Sequence, residues 1–209
     1  MRSFLDLDHL RRSDGDVEWH PLRPFLPAKA QVLFLGSFPP PRRRWCMDFF
    51  YPNFINDHWR ILGLVFFGDK NWFVDEAAKT FRLPEIVAFL EREGIGYFDT
   101  ATAVRRLADN ASDKFLEVVE PTDVARLVEP LEALRAIVTT GEKACQTLCA
   151  SLGAEQAPRV GESVPLPGLG KGGGVRLFRL PSSSRAYPLS FERKAAAYRA
   201  MFQQLGMVP

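Results

Sequence analysis

Three stretches of the chain carry residue types that could do chemistry together. In "GSFPPPRRRW" (36–45), three prolines hold the backbone extended and remove amide donors, and Arg42, Arg43 and Arg44 follow in a row. Guanidinium forks match phosphate oxygens, so the run reads as a phosphate-binding edge, against the ordinary alternative of a solvated charged loop. In "FFYPNFINDHW" (49–59), Phe49, Phe50 and Tyr51 sit beside that arginine run. Cations interleaved with flat rings are what an unstacked nucleobase needs. The same segment holds Asn53 and Asn56, whose amides could orient a water or read a base edge. Near a helix start, capping is the default role for Asn56. In "LPSSSRAYPLS" (180–190), Ser182, Ser183 and Ser184 offer small hydroxyls and backbone amides that can approach a phosphate closely. Arg185 and Tyr187 are large enough to enter a base stack; an ordinary serine-rich turn is the competing reading. Serine-hydrolase chemistry is not indicated. His9, His20 and His58 fall in or near the early segments, and no G-x-S-x-G elbow occurs.

The elements that would position these residues follow from apolar patterning. Buried strands are predicted at Gln31–Leu35, Ile95–Phe98, Ala136–Thr139 and Val175–Leu180. Helices are predicted over Asp57–Phe67, Phe73–Arg92, Thr122–Leu131, Glu142–Leu152 and Phe191–Leu205, the last capped by Ser190. Alternating strands and helices give an α/β fold: a three-layer α/β/α sandwich with a central, mostly parallel, four-stranded sheet. One domain should span residues 1–209. Ligands in such folds bind at the carboxyl ends of the strands. That rule selects the loops 36–44, 99–113, 140–143 ("TGEK") and 181–189. The glycine-rich stretch 168–174 precedes the fourth strand. It is expected as a mobile hairpin at the opposite edge rather than a phosphate cradle, since no helix follows it.

Composition sets the outer limits. With 209 residues, 46% hydrophobic and 25% charged, the chain is globular. A formal net charge of +2 permits a nucleic-acid partner without arguing for one. Ten of the 25 aromatic residues fall between positions 45 and 73, and helical spacing assigns Trp59, Phe66 and Phe67 to the core. The N-terminal "MRSFLDLDHLRRSDGD" is broken by charges, unlike a secretory leader, and no apolar run could span a bilayer. Three cysteines make no disulfide framework. Cys145 and Cys149 lie on one helical face as buried thiols, and Cys46 lacks a partner at metal-site spacing. A cytoplasmic monomer is expected, with no membrane association, no cofactor and no metal.

With these residues assembled, the chain resembles the uracil-DNA glycosylase superfamily over most of its length. It is nearest the branch of mismatch-specific uracil/thymine-DNA and hypoxanthine-DNA glycosylases. The branch's first-strand "G-x-x-P" motif is matched by Gly36-Ser37-Phe38-Pro39. Its aromatic–"HP"–"NxFW" segment is matched loosely by "FFYPNFINDHW", with two extra residues between Pro52 and Asn56. A "PSSS"-like motif is matched by Pro181–Ser184, and a "S-x-E-K…AYR" helix by Ser190, Glu192 and Ala197-Tyr198-Arg199.

The resemblance implies a monofunctional DNA glycosylase. Such an enzyme flips out a deaminated base, uracil or hypoxanthine, and hydrolyses its N-glycosidic bond in base excision repair. Phe49 would stack on the base, with Phe50 as the near alternative and Ser37 and Phe38 beside it. Arg42–Arg44, Ser182–Ser184, Arg185 and Tyr187 would hold DNA. Two departures matter. The third motif position, usually Asp or Asn, is Phe38, and the residue that usually stabilises the departing base is Leu180. The hypoxanthine-excising branch also lacks the first-motif carboxylate or amide, and the resemblance to it implies that the Asn of the "NxFW" segment, here Asn56, orients the water, with Asp99 as the second candidate. A catalytically inactive member that binds nucleic acid or nucleotides is the rival reading. The iron–sulfur cluster of some relatives needs four cysteines, one more than this chain has.

Overall fold

The computed structural model describes residues 17–107, 113–154, 157–171 and 174–209. His9 and two glycines of the 168–174 stretch lie outside them. The strands are β1 (Val17–Trp19), β2 (Val32–Gly36), β3 (Val74–Asp75), β4 (Thr80–Phe81), β5 (Ile95–Asp99), β6 (Ala101–Arg106), β7 (Leu116–Pro121), β8 (Ala136–Thr140), β9 (Ser163–Pro165) and β10 (Arg176–Leu180). The helices are α1 (His58–Phe67), α2 (Leu83–Glu93), α3 (Val124–Val128), α4 (Glu142–Leu152) and α5 (Phe191–Gln204).

The central sheet has the order β5-β2-β8-β10-β9. Its first four strands run parallel, and β9 joins β10 antiparallel at the edge. The sheet therefore has five strands rather than four. The additional strand is "SVP", too short and too polar to announce itself as an apolar run. Every residue of β2, β5 and β8 is buried, which requires cover on both faces of the sheet. This is why those strands read as continuous apolar runs with no alternation. One hydrophobic cluster joins the sheet to the helices. At its heart Phe34 stacks on Tyr97 with centroids 5.4 Å apart, and Trp59 and Tyr198 are fully buried.

Two further predictions fail. The helix expected over Phe73–Arg92 starts only at Leu83, because Pro84 is tolerated in a first turn but not inside a helix. Residues before it form the small β3–β4 hairpin instead. The loop expected over 99–113 is strand β6 as far as Arg106. β6 joins β1 and β7 in a separate antiparallel sheet, with Ala101, Val104 and Leu116 as its own small core. The expected cap of the last helix holds: the Ser190 hydroxyl accepts from the Arg193 amide. No helix among the described residues is long and apolar enough to cross a membrane.

Candidate active site

The carboxyl ends of β2, β5, β8 and β10, together with the segment before α1, open onto one cleft of about 1020 Å³. Parallel pairing brings these ends level. Gly36 is the register partner of Asp99, and Thr140 that of Leu180. Side chains from four distant segments thus meet without any long loop.

Asp99 forms part of the floor. Its Oδ2 lies 3.0 Å from His20 Nε2, and both side chains are almost fully buried. The other ring nitrogen of His20 is engaged by the backbone of Leu22, whose amide donates to Nδ1 at 3.1 Å. The ring sits among Phe38, Phe50 and Phe98. A Cβ at position 36 would come within 2.4 Å of Asp99 Oδ1, so Gly36 is what lets the carboxylate lie against the end of β2. Nearby, Tyr51 adopts a left-handed backbone (φ 49°), which costs a non-glycine residue about 1–2 kcal/mol. In return its hydroxyl reaches Thr140 Oγ1 at 2.6 Å, and its ring stacks on His58 at 3.7 Å. Burial pushes the Tyr51 phenol well above its ordinary range. Burial also holds His58 well below the usual histidine range, so the ring is neutral, with Nε2 on Tyr97 Oη at 2.7 Å and Nδ1 unpartnered.

A second carboxylate faces the same space. Asp113 accepts from Ser37 Oγ at 2.7 Å. Desolvation raises its carboxyl above the ordinary value; the Ser37 bond opposes this, and the Asp99 charge adds to it. Lys143 and Glu142, from the first turn of α4, supply mixed charge on the β8 side. Gly141 enters that helix at φ 96°, with the Ser182 side chain 3.7 Å from where a Cβ would stand.

The remaining wall is the serine loop, tied to the start of α1 through Asp57. The Asp57 amide donates to the Ser183 carbonyl, and its nearly buried carboxylate faces Arg185 Nε at 2.8 Å and Lys194 Nζ at 3.7 Å. Lys194, itself buried, also donates to the Ser184 carbonyl at 2.7 Å. Within the loop, Ser182 Oγ accepts from the Ser184 amide, and Ser184 Oγ from that of Ala186. The loop is thereby held in one conformation.

The structure distributes the expected residues as follows. Asn56, Asp99, Phe50, Ser37, Phe38, Arg44, Ser182, Ser183, Ser184, Arg185 and Tyr187 all line the cleft. Asn56 is half-buried and uses Oδ1 to accept from the His58 amide at 2.9 Å, so it is a turn residue just ahead of α1, whose cap position is Asp57. Its NH2 group is the part left for the cleft. Phe49 belongs instead to the core, edge-on to Phe25 and Phe50, and forms no part of the cleft wall. Phe50, one residue on, belongs to the same core cluster at 3% exposure and is the one of the pair that borders the cleft. Arg42 pairs with Asp48 and lies over Trp45 at 4.0 Å, in a separate shallow groove, and Arg43 lines neither depression. Arg185 is folded onto Asp57 rather than projecting as a wedge. Leu180 is buried.

His20, Asp113, Thr140 and Lys143 join the site without having stood out as functional residues in the sequence, and Tyr51, marked there as a flat ring beside the arginine run, joins it too. The strand-end rule had already selected the loops that hold Asp113, Thr140 and Lys143. His20 gave no local signal, because its partner is 79 positions away. Among the described residues, no group of three or more His, Cys, Asp or Glu could hold a metal ion.

No protein-family model matches the chain, and no curated protein does. A solved structure does. It is the solution NMR structure of a protein from Methanosarcina acetivorans provisionally named a uracil DNA glycosylase. The alignment covers 91% of this chain and 99% of that one, at 22% identity and a TM-score of 0.58. The two chains share a fold. That fold is an α/β architecture, and in this chain its central sheet is mixed.

Proposed function

We propose that the protein is a monofunctional DNA glycosylase that draws a deaminated base, uracil or hypoxanthine, out of DNA into this cleft and hydrolyses its N-glycosidic bond. The observation that carries the reading is the meeting of Asp99, Asn56 and Phe50 with the serine loop around one cleft at the strand ends. The fold shared with the Methanosarcina protein supports it.

In this reading Phe50 offers its face to the base, and Ser37 and Phe38 border it. As the bond breaks, positive charge grows on the sugar, and a carboxylate aimed at C1′ stabilises it. Asp99 has that role. Its Oδ2 is occupied by His20, which leaves Oδ1 for the reacting centre or its water. The Asn56 amide orients the attacking water. Arg44, Lys143 and the backbone of Ser182–Ser184 receive the phosphates on either side. DNA is the partner, and neither metal nor cofactor takes part in any of these steps.

Single-turnover excision from oligonucleotides carrying uracil or hypoxanthine tests the proposal. Abasic product that is lost in Asn56→Ala and Asp99→Asn supports it. Tight DNA binding with no product from either base favours an inactive binding protein, the reading that Phe38 and Leu180 would fit.

A further inference from the structure

We propose that the shallow groove beside the cleft is a second base-binding site, where an unpaired base of the same DNA strand lies against Trp19 and Trp45. The proposal rests on the glycosylase reading above and names single-stranded DNA as the substrate class. The groove has a volume of about 220 Å³ and is walled by Trp19, Trp45 and the proline run Pro39–Pro41. Phe38, Pro39 and Pro40 border both depressions, so one short stretch of chain is all that separates them. A strand with one base in the cleft can therefore reach the groove with a neighbouring base.

Two tryptophans without a partner ring mark the groove. Trp59 packs on Tyr97 and Phe49, and Trp72 stacks on Phe67. Trp19 and Trp45 are half-buried, and neither meets another aromatic ring among the described residues. The groove is also built before anything enters it. Trp45 Nε1 donates to the Pro40 carbonyl at 2.7 Å, which fixes the indole. Arg106, from the strand that pairs with β1, donates to the Pro39 carbonyl and meets Glu18 at 2.9 Å, tying β1 to the proline run. The prolines carry no amide N–H, so this wall offers a ring no backbone donor that would read its edge. Flat apolar walls of this kind hold any base by its face. Charge points the same way. Arg42–Arg44 form one 3-10 turn whose first arginine borders the groove and whose third borders the cleft. A strand crossing between the two brings its phosphates past both. The pair of Arg42 with Asp48 is exposed on both sides, weak enough for a phosphate to replace the carboxylate. In a duplex the neighbouring base stays paired and stacked, and the groove stays empty.

Binding tests this on a single strand carrying one central 2′-fluorinated uracil or hypoxanthine nucleotide, whose glycosidic bond resists cleavage, and on the matching duplex. Flanking bases are then removed one at a time with an abasic analogue. In the wild type one flanking position should matter, its loss weakening single-strand binding about tenfold. Trp19→Leu and Trp45→Leu should bind the intact strand about tenfold more weakly and lose nothing further when that base is removed. Both should bind the duplex within about twofold of the wild type. Arg42→Gln, at an exposed position, should lower the slope of log affinity against log salt by about 0.7 on the single strand. Equal losses on single strand and duplex, flanking-base effects that persist in both tryptophan variants, or an unchanged salt slope overturn the proposal. If the wild type excises neither base yet shows the tryptophan-dependent flanking-base effect, the glycosylase reading falls and the groove stands. If it excises a base but no flanking base matters to binding, the groove falls and the glycosylase reading stands.

Discussion

Asp99 is gripped from behind by a histidine that lies 79 positions earlier in the chain: His20 Nε2 sits 3.0 Å from Asp99 Oδ2, with aromatic rings around it. The bond fixes the direction of the free carboxylate oxygen without any contact between His20 and a substrate. Replacing His20 with Leu should lower kcat by about 100-fold, since a misplacement near 1 Å suffices for such a loss. DNA affinity should stay the same. His20→Gln, which can offer an amide N–H at the same place, should recover part of kcat. Equal kcat for the Leu and Gln variants, with both well folded, would show that the bond does not aim the carboxylate.

Gly36 should be intolerant of even one methyl. A Cβ there lies 2.4 Å from Asp99 Oδ1, and β2 and β5 are hydrogen-bonded neighbours, so the carboxylate is what must move. Gly36→Ala is expected to bind DNA normally and to excise at a small fraction of the wild-type rate. Normal turnover in that variant would remove Asp99 from the reaction.

Asp57, nearly buried behind the serine loop, should matter to stability. Removing it leaves the buried ammonium of Lys194 without a counter-charge and frees Arg185. Breaking such a pair from one side costs about 3–5 kcal/mol. The expected cost for Asp57→Ala is near the lower figure, because Lys194 keeps its bond to Ser184. Urea unfolding measures this, and limited proteolysis should show new cleavage between 182 and 188.

Stability should also fall on the acid side through His58. Its folded pKa is held well below the usual value by burial, while the unfolded chain takes up the proton near pH 6.5. Below that pH the unfolded state binds the extra proton, so the stability present above pH 6.5 is lost as pH falls toward the folded value. The slope for this one group is at most about 1.4 kcal/mol per pH unit. Unfolding free energies at pH 7.5 and 5.5 should differ by about 1 kcal/mol less in His58→Gln than in the wild type. An unchanged difference would mean that His58 titrates normally in the folded protein.

The parallel strands were legible because they are buried on both faces, and a run such as "VLFL", four apolar residues with no polar interruption, suits little else. Their ends in turn located the cleft loops. The edge strand β9 and the β3–β4 hairpin were not legible. Three or two residues held by backbone pairing leave no periodicity, although Pro84 did mark where α2 had to start. Cleft-lining residues were legible where the pattern is local, as in Asn56 and the serine loop. They were lost where it is tertiary. Nothing in "WHPLRP" announces a partner at position 99, and nothing in "FFY" shows which ring faces the core and which the cleft.

The parallel register of β2 and β5 also ties the cleft chemistry to the hydrophobic interior. Phe98 and Asp99 are adjacent and point to opposite faces, so the position of the strand alone decides which of them stands beside Gly36. A displacement of β5 by one residue would swap acid for phenyl ring beside Gly36, and with it remove the role proposed for Asp99, with every cleft residue still present in the sequence. Mutational drift among Ile95, Tyr97 and their packing neighbours can therefore switch the protein off from within, a vulnerability that a survey restricted to cleft positions would miss.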